Sequence, residues 1–226
     1  MEVYMQNIIL LQTQLAMFFS SPLTRTDHLA YTLIDNIEEL SDIVPSISHY
    51  PISQQPFMQS IVNIQGNNFN IAINPERMDL FYNRNINTQI DIKNKFISLS
   101  SKVIKSIPSH YSINRIGVSS TSFFEHYDAD TYIKNNFLKG NFNNSKEFQI
   151  KMNTPSKYKN KEINNIINIY WGVLPKNKEY IHGMFYNRDI NTVASQKILS
   201  IEYQIDFFKK FSTDFSDLSL KEENNE

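Results

Sequence analysis

The sequence predicts an α+β fold, a large and mostly antiparallel β-sheet with two or three helices. Several short segments alternate apolar and polar residues, which is typical of strands with one buried face. Other segments repeat apolar residues every three or four positions, as amphipathic helices do. In addition, the octapeptide at residues 81–88 recurs at residues 185–192 with one difference, Asn85 against Asp189. This repeat predicts two related, pseudo-symmetric β-rich halves that meet near residues 108–112.

The first half, residues 1–108, is predicted to begin with a long strand at 6–20. A helix follows, for which Thr26 or Asp27 can act as the N-cap, and its apolar positions are spaced four, four and three residues apart. The next stretch holds three prolines between residues 45 and 56. Because proline has no N–H for the ladder, this stretch is predicted to be a loop rather than a central strand.

Three antiparallel strands and a second helix complete the first half. The strands are predicted at 57–65, 69–73 and 78–82, with turns at Gly66-Asn67 and Asn74–Arg77. A helix that opens at Asp91 carries its apolar residues on one stripe and stops at Pro108.

The second half, residues 109–211, is predicted to be richer in strands. A long strand at 112–125 leads to a short helix that Asp128 or Asp130 caps and Gly140 ends. Further strands are predicted at 163–173, 180–186 and 199–207. The polar segment 141–161 predicts a mobile hairpin, and the acidic tail at 212–226 is predicted to be disordered.

Each octapeptide places one aromatic ring on each face of a strand, because successive side chains point in opposite directions. The simplest interpretation is a repeated strand-to-turn exit, in which polar side chains bond to the backbone. The alternative is a pair of equivalent binding sites, Tyr82 with Arg84 and Tyr186 with Arg188. Arginine beside tyrosine suits a phosphate, a carboxylate or a stacked base.

The composition excludes several classes of function. The chain has no cysteine, which excludes disulfides, thiolate catalysis and cysteine-bound metals. Its net charge of -1 disfavours a globally basic nucleic-acid binder. The chain has five glycines and no phosphate-binding loop motif, so no cofactor is predicted. Because no catalytic motif is found either, the sequence favours a protein that is not an enzyme.

The densest group of potential metal ligands is Glu125, His126, Asp128 and Asp130. Two aspartates near a strand end could hold Mg²⁺ or Ca²⁺ with oxygen ligands, assisted by the glutamate or the histidine. The favoured interpretation is simpler, because an aspartate at a helix N-terminus caps free N–H groups and meets the positive end of the helix dipole.

The segment 146–161 is rich in lysine and includes aromatic residues. Lys151, Lys157 and Tyr158 could contact a nucleic-acid backbone and stack on its bases. The same composition suits an ordinary solvated hairpin, which is the favoured interpretation.

The segment Ile113-Asn114-Arg115-Ile116-Gly117-Val118 and the preceding hairpin Phe69–Met78 resemble an uncharacterised, sporadically distributed bacterial protein family. The resemblance covers residues 6–125. Ser119-Ser120 follow the motif where the family usually has Arg-Tyr. The family has no established activity, so the resemblance implies no functional residue. Its patchy occurrence is similar to that of mobile-element or phage-defence genes.

These features predict a non-enzymatic protein-interaction module, an accessory or inhibitor in a bacterial or phage defence or mobile-element system. The alternatives are a nucleic-acid-binding or metal-dependent nucleic-acid-processing protein, and a holdase-type chaperone. A cytoplasmic location without membrane contact is expected, because the apolar run at residues 8–19 lacks a basic leader and no stretch approaches the roughly 20 apolar residues of a span. Homodimerisation through a sheet edge is a further expectation.

Overall fold

The computed structural model of the chain describes residues 8–51, 58–66, 69–83, 92–126, 128–137, 148–176, 179–195 and 197–213. The strands in these ranges are β1 (Ile8–Phe19), β2 (Ser46–Pro51), β3 (Met58–Gly66), β4 (Phe69–Ile73), β5 (Arg77–Asn83), β6 (Ile113–Glu125), β7 (Gln149–Tyr158), β8 (Lys161–Lys176) and β9 (Glu179–Thr192). The helices are α1 (Thr26–Asn36), α2 (Ile92–Ser106), α3 (Ala129–Phe137) and α4 (Ile201–Thr213), with a 3-10 turn at Glu38–Leu40.

All nine strands belong to one sheet, in the order β2-β3-β4-β5-β1-β6-β9-β8-β7. Every neighbouring pair is antiparallel. The α+β fold with a large antiparallel sheet is therefore confirmed. The prediction of a loop between residues 45 and 56 is wrong at 46–51, which form the strand β2. This strand lies at an edge of the sheet, in agreement with the prediction that the segment is not a central strand.

The strand order relates the two halves of the chain. β1 and β6 lie side by side at the centre, each leads into a helix, and each pairs with the last strand of its own half. Tyr82 lies opposite Thr13 of β1, and Tyr186 of the second octapeptide lies opposite Ser122 of β6. Each repeated tyrosine thus pairs with the central strand of its own half. A division at residue 108 stays a prediction, because one continuous sheet joins both halves.

The four helices pack on the same face of the sheet. The side chains of β1, β5 and β6 that point to this face, such as Leu15, Leu80 and Val118, are fully buried in the cluster that includes residues of α1, α2 and α4. The helix α3 covers a smaller cluster, in which Ile133 packs near Tyr186. The main hydrophobic core is therefore the layer between the helices and this face, and a smaller apolar cluster around the fully buried Phe123 lies on the opposite face.

The segment predicted as a last strand at 199–207 is instead the helix α4. Phe207, Phe208 and Phe211 are all buried. Two consecutive residues of a strand point to opposite faces, whereas positions i, i+1 and i+4 of a helix can share one broad apolar stripe. The described residues consequently contain four helices rather than two or three.

The predicted hairpin at 141–161 is ordered where the structure describes it. The strand β7 pairs with β8 along its whole length. The connecting residues Lys159 and Asn160 have φ values of 46° and 63°, the conformation that two-residue hairpin turns require. Pro155 fits this position because β7 is an edge strand, whose outward N–H groups need no ladder partner.

The structure contradicts the predicted N-cap of α1 and confirms the predicted N-cap of α3. The helix α1 begins at Thr26 and its N-cap is Arg25, so the prediction of Thr26 or Asp27 as the cap is wrong. Asp27 lies in the first turn, where hydrogen bonds of 2.8 and 2.6 Å from the Arg25 guanidinium lower the pKa of Asp27 to about 2. For α3 the prediction is confirmed, because Asp128 Oδ1 accepts a 3.2 Å hydrogen bond from the Thr131 backbone N–H.

The second octapeptide lies wholly inside β9, so the prediction of a strand-to-turn exit is wrong there. Of the first octapeptide the structure describes only Phe81–Asn83. Its remaining residues, the helix start at Asp91, the helix stop at Gly140 and the tail from residue 214 lie outside the described residues.

Candidate binding face

One face of the sheet carries no helix in the part of the chain that the structure describes, and we call it the open face. The alternation of side chains along β1 places Gln14, Ala16 and Phe18 on this face. The neighbouring residues of β6 are Ser119, Gly117 and Arg115, in the same order. These side chains form the centre of the open face.

A ladder of polar side chains crosses the open face at its centre. Gln14 Nε2 donates a 2.8 Å hydrogen bond to Asp79 Oδ1 on β5. The Ser119 hydroxyl on β6 in turn donates to Gln14 Oε1 at 3.2 Å. The side chains of β5, β1 and β6 are therefore joined without any backbone contribution.

A second set of side-chain hydrogen bonds starts at Arg115 and extends the ladder toward the β7 edge through asparagines. Asn191 Oδ1 on β9 accepts hydrogen bonds of 3.2 Å from Arg115 Nη2 and from Asn164 Nδ2. Asn164 Oδ1 then accepts from Asn153 Nδ2 of β7 at 3.3 Å. The hydrogen bonds between side chains thus reach from β5 to β7, and on β8, β9 and β7 they run through amide groups.

The four central strands have an unusual composition for an uncovered face. β1, β5, β6 and β9 contain no lysine. Their open-face residues are mostly arginine, aromatic, amide, hydroxyl and glycine residues, with two aspartates, Asp79 and Asp189, and one terminal glutamate on each of β6 and β9. The aliphatic residues on this face of the four strands include Ala16 and, in a cluster around Phe123, Ile9 and Ile181. Surfaces that only face water are usually richer in flexible charged residues.

A pocket of about 110 Å³ opens at the centre of this face. Ala16 and Gly117 lie opposite each other and form its small-residue floor. A Cβ added at Gly117 would come within 3.1 Å of the Asn191 Cβ, so this position has little room for a larger residue. The remaining lining residues are Gln14, Phe18, Arg77, Arg115, Ser119, Asp189 and Asn191.

The two arginines of the pocket have different partners. Arg77 binds the buried Asp79 with contacts of 2.7 Å from Nε and 2.5 Å from Nη2, so its charge is compensated. Arg115 forms no ion pair with any described residue, and its Nε is buried without a hydrogen-bond partner. Both guanidiniums lie over the Phe18 ring, at 5.0 and 4.7 Å from its centre. Arg115 is thus a positioned cation with a free donor.

The tyrosines and arginines predicted from the octapeptides do not form exposed sites where they are described. Tyr82 and Tyr186 are buried on the helix-covered face, and burial raises the pKa of Tyr186. Arg188 lies on the same covered face, where its Nε donates to Asn165 Oδ1 at 3.1 Å. Arg84 lies outside the described residues.

The sheet separates the residues of the predicted nucleic-acid site. Lys151 and Lys157 are exposed on the open-face side of β7. Tyr158 points to the covered face, where its ring packs against Phe207 and Phe211 of α4 with centre-to-centre distances of 5.9 and 5.3 Å. Arg188 also points to the covered face, so the structure does not bring it together with the two lysines.

The predicted metal ligands do not form a described cluster. Within the described ranges, no three histidine, aspartate or glutamate side chains are close enough to hold a metal ion. Asp128 instead caps α3, and its backbone N–H donates to His126 Nδ1 at 3.1 Å. Glu125 is exposed at the end of β6. The Asp130 side chain lies outside the described part.

The pocket residues were missed because no local motif marks them. One signal was present, since Arg115, Gly117 and Ser119 share a face of a long strand that has no apolar residue at those positions. Their partners Gln14, Arg77 and Asn191 are far away in the sequence and meet only through the strand register. Ile113, which simple alternation places beside Arg115, turns into the core because of an irregularity near Phe19.

Comparison of the chain with protein-family models finds no match, and comparison with curated protein sequences finds no significant match. The family resemblance of residues 6–125 therefore stays a prediction. In the described part of the chain, no helix is long and apolar enough to cross a membrane.

Proposed function

We propose that this chain is a non-enzymatic binding protein that receives a partner protein on the open face of its sheet. The observation that carries the proposal is the contrast between the two faces. One face is covered by four helices, and the other presents two sets of side-chain hydrogen bonds around a pocket whose Arg115 forms no ion pair with a described residue.

The composition of the open face supports a protein partner. Arginine and aromatic residues are enriched at the centres of protein interfaces, whereas lysine and glutamate are depleted. The central open face follows this pattern with Arg77, Arg115, Phe18 and Phe185 and without lysine. Asparagine, glutamine and serine side chains add adaptable hydrogen bonding, as they do in antibody binding loops.

The dimensions of the face and the pocket support the same class of ligand. Nine strands at about 4.8 Å spacing span roughly 40 Å, which accommodates the about 800 Å² that each partner contributes to a standard interface. The pocket of about 110 Å³ is smaller than the roughly 300–1,000 Å³ of pockets that enclose drug-sized ligands. It has the size of a site for one side chain of a partner.

The proposal also gives the protein a cellular setting, as an accessory or inhibitor component of a bacterial or phage defence or mobile-element system in the cytoplasm. The absence of cysteine supports a reducing compartment. The resemblance to a sporadically distributed family supports the connection with mobile genes.

The test compares two substitutions at consecutive positions of β8. Asn164 and Asn165 are both partly buried, but Asn164 belongs to the open-face ladder and Asn165 bonds to Arg188 on the covered face. Tagged wild type, Asn164→Glu and Asn165→Glu are expressed in the native host, captured at mild salt and compared by quantitative mass spectrometry. Thermal unfolding confirms that both variants fold.

A protein partner that Asn164→Glu reduces at least tenfold and Asn165→Glu leaves unchanged is the expected result. Equal capture by all three chains, or loss only with Asn165→Glu, contradicts the proposal. Recovery of nuclease-sensitive nucleic acid that is lost at high salt, and weakened by Lys151→Glu with Lys157→Glu, replaces it with the nucleic-acid alternative.

The holdase alternative has less support from the described surface. The most exposed large apolar side chains are Tyr31, Val44, Tyr180 and Ile198. They lie on α1, before β2, at the start of β9 and before α4, which are separate elements. A holdase needs a contiguous apolar patch to retain unfolded clients.

A further inference from the structure

The unpaired state of Arg115 identifies the kind of group that the pocket accepts. Its Nε is buried and has no partner among the described residues, while its Nη2 donates only to the neutral Asn191 Oδ1. A buried polar group without a partner costs free energy, so such groups are rare unless a ligand or a water completes them. The surrounding atoms cover Nε, whereas Arg115 as a whole is only partly buried and lines the pocket, so the Nη end of the guanidinium is the part that a ligand can approach.

The neighbouring residues fix how that edge is presented. Phe18 lies under the Arg115 guanidinium at 4.7 Å from its centre and limits its tilt. Ala16 and Gly117 keep the space in front of it open, since neither has a side chain beyond Cβ. A guanidinium held in this way suits a planar carboxylate, which can accept two parallel hydrogen bonds from the two Nη groups.

The charges around the pocket distinguish Arg115 from its neighbour. The Arg77 charge is compensated by Asp79, whereas Asp189 is held by the Asn191 amide at 3.1 Å and not by Arg115. Asn191 therefore stands between Arg115 and Asp189 and accepts from one while donating to the other. An incoming carboxylate meets the Arg115 cation, which no described carboxylate pairs with, and the Asp189 carboxylate, which accepts a hydrogen bond from Asn191.

From this geometry we propose that the pocket receives a single aspartate or glutamate side chain of the partner protein, and that its carboxylate binds the Nη end of the Arg115 guanidinium. This inference rests on the proposed function and adds the chemistry of its central contact. Asp189 acts as a selectivity element, because its charge disfavours a second anionic group beside the first.

The experiment uses the full chain labelled with ¹⁵N and two matched probes. These are the N-acetyl, α-methylamide derivatives of aspartic acid and of asparagine, which differ only in the side-chain carboxylate. The chain has five arginines, so the Arg115 Nε–H signal is assigned by its loss in Arg115→Gln. The Arg115 Nε–H, the Gly117 amide and the Asn191 side-chain amide report on the pocket.

The aspartate probe is expected to shift these signals saturably with a Kd in the millimolar range, and the asparagine probe is expected to bind at least tenfold more weakly. Asp189→Asn tightens aspartate binding about two- to fivefold, because one opposing negative charge is removed. Arg115→Gln abolishes the shifts of Gly117 and Asn191, Arg115→Lys retains them only in part, and Arg188→Gln has no effect.

Equal responses to both probes, or responses that persist in Arg115→Gln, overturn the inference. The absence of any shift at about 50 mM probe also overturns it, because this concentration is well above a Kd of about 1 mM. The outcome is separable from that of the proposed function. If no carboxylate binds but Asn164→Glu still prevents capture of the partner, only the pocket inference fails. If Asn164→Glu leaves capture unchanged, the proposed function fails whether or not Arg115 binds carboxylates.

Discussion

Arg77 and Arg115 lie two strands apart on the same face of one sheet, yet they have different environments. Arg77 pairs with Asp79, which is two residues away on the same strand, and such an i, i+2 pair can be read from the sequence. The hydrogen bond from Arg115 to Asn191 spans 76 residues and depends on the register of β6 and β9. The ion pair of Arg77 can therefore be predicted from the sequence, whereas the environment of Arg115 cannot.

Tyr203 gives a prediction about pH, because its hydroxyl is buried without a partner in the described structure. Burial raises the pKa of Tyr203 to about 12, whereas an unfolded tyrosine titrates near pH 10. The neutral side chain is favoured in the folded state, so its contribution to stability is complete below about pH 10 and is lost as the pH rises toward 12.

Tyr203→Phe is expected to change the free energy of unfolding by less than about 1 kcal/mol at pH 7, because no hydrogen bond is removed. It should also reduce the loss of stability between pH 10 and 12. Urea unfolding at several pH values measures both effects, and Tyr180→Phe, at an exposed position, serves as the control. A loss of several kcal/mol at pH 7 would show that the hydroxyl has a partner.

Gly172 and Gly183 pair with each other on β8 and β9, but their surroundings differ. A Cβ at Gly183 would lie 2.1 Å from the Phe124 backbone oxygen, whereas a Cβ at Gly172 would meet the Phe185 ring at 2.5 Å. A ring can rotate or shift, but the backbone of a central strand cannot. Gly183→Ala should therefore cost about 3 kcal/mol or more and Gly172→Ala about 1–2 kcal/mol. Chemical denaturation of both variants measures the difference, and equal losses would contradict this explanation.

The helix α4 shows why one element was assigned to the wrong class. Leu199, Ile201, Tyr203, Ile205 and Phe207 alternate with polar residues and satisfy the period of a strand. The same segment satisfies a helical period when Phe208 and Phe211 are included, and Ile201 is then 41% exposed. Short apolar patterns fit both periods, and packing against α2 and β6 decides between them. The other helices have stripes that only a helix explains.

Removal of the Phe207 ring tests the contribution of α4 to the core. This ring is fully buried and contacts Tyr158 of β7 and Phe211. Phe207→Ala is expected to lower the free energy of unfolding by about 3–5 kcal/mol, as large-to-small changes in a core do. Ile201→Ala, in the first turn of the same helix, is the control and should cost less than about 1 kcal/mol. Similar losses in the two variants would contradict the packing of α4 on the sheet.

The whole sheet depends on pairings that the sequence does not specify. Most strands and their bounds could be predicted within two or three residues from period-2 alternation, as for β4 and β6. The order of the strands could not, because β1 pairs with β5 and β6, which are distant in the chain. The open face and its pocket follow from this order, so the site was not predictable before the topology was known.

The central pairing of β1 with β6 gives a prediction about the two halves. Each half expressed alone would expose a long central strand edge, and such edges promote aggregation. Residues 1–108 and 109–213 are expected to self-associate when separate and to form a 1:1 complex when coexpressed. Light scattering after size-exclusion chromatography tests this, and two stable, monomeric halves would contradict a single cooperative sheet.

The open face is tested most directly as the binding surface by the affinity of the purified chain for the partner that it captures. This affinity is measured for wild type, Arg115→Gln and Arg188→Gln. Both arginines are partly buried on neighbouring central strands, but they point to opposite faces of the sheet. A partner on the open face predicts that Arg115→Gln raises Kd at least tenfold and that Arg188→Gln changes it less than twofold. A larger effect of Arg188→Gln, or no effect of either substitution, would contradict the assignment of the open face as the binding surface.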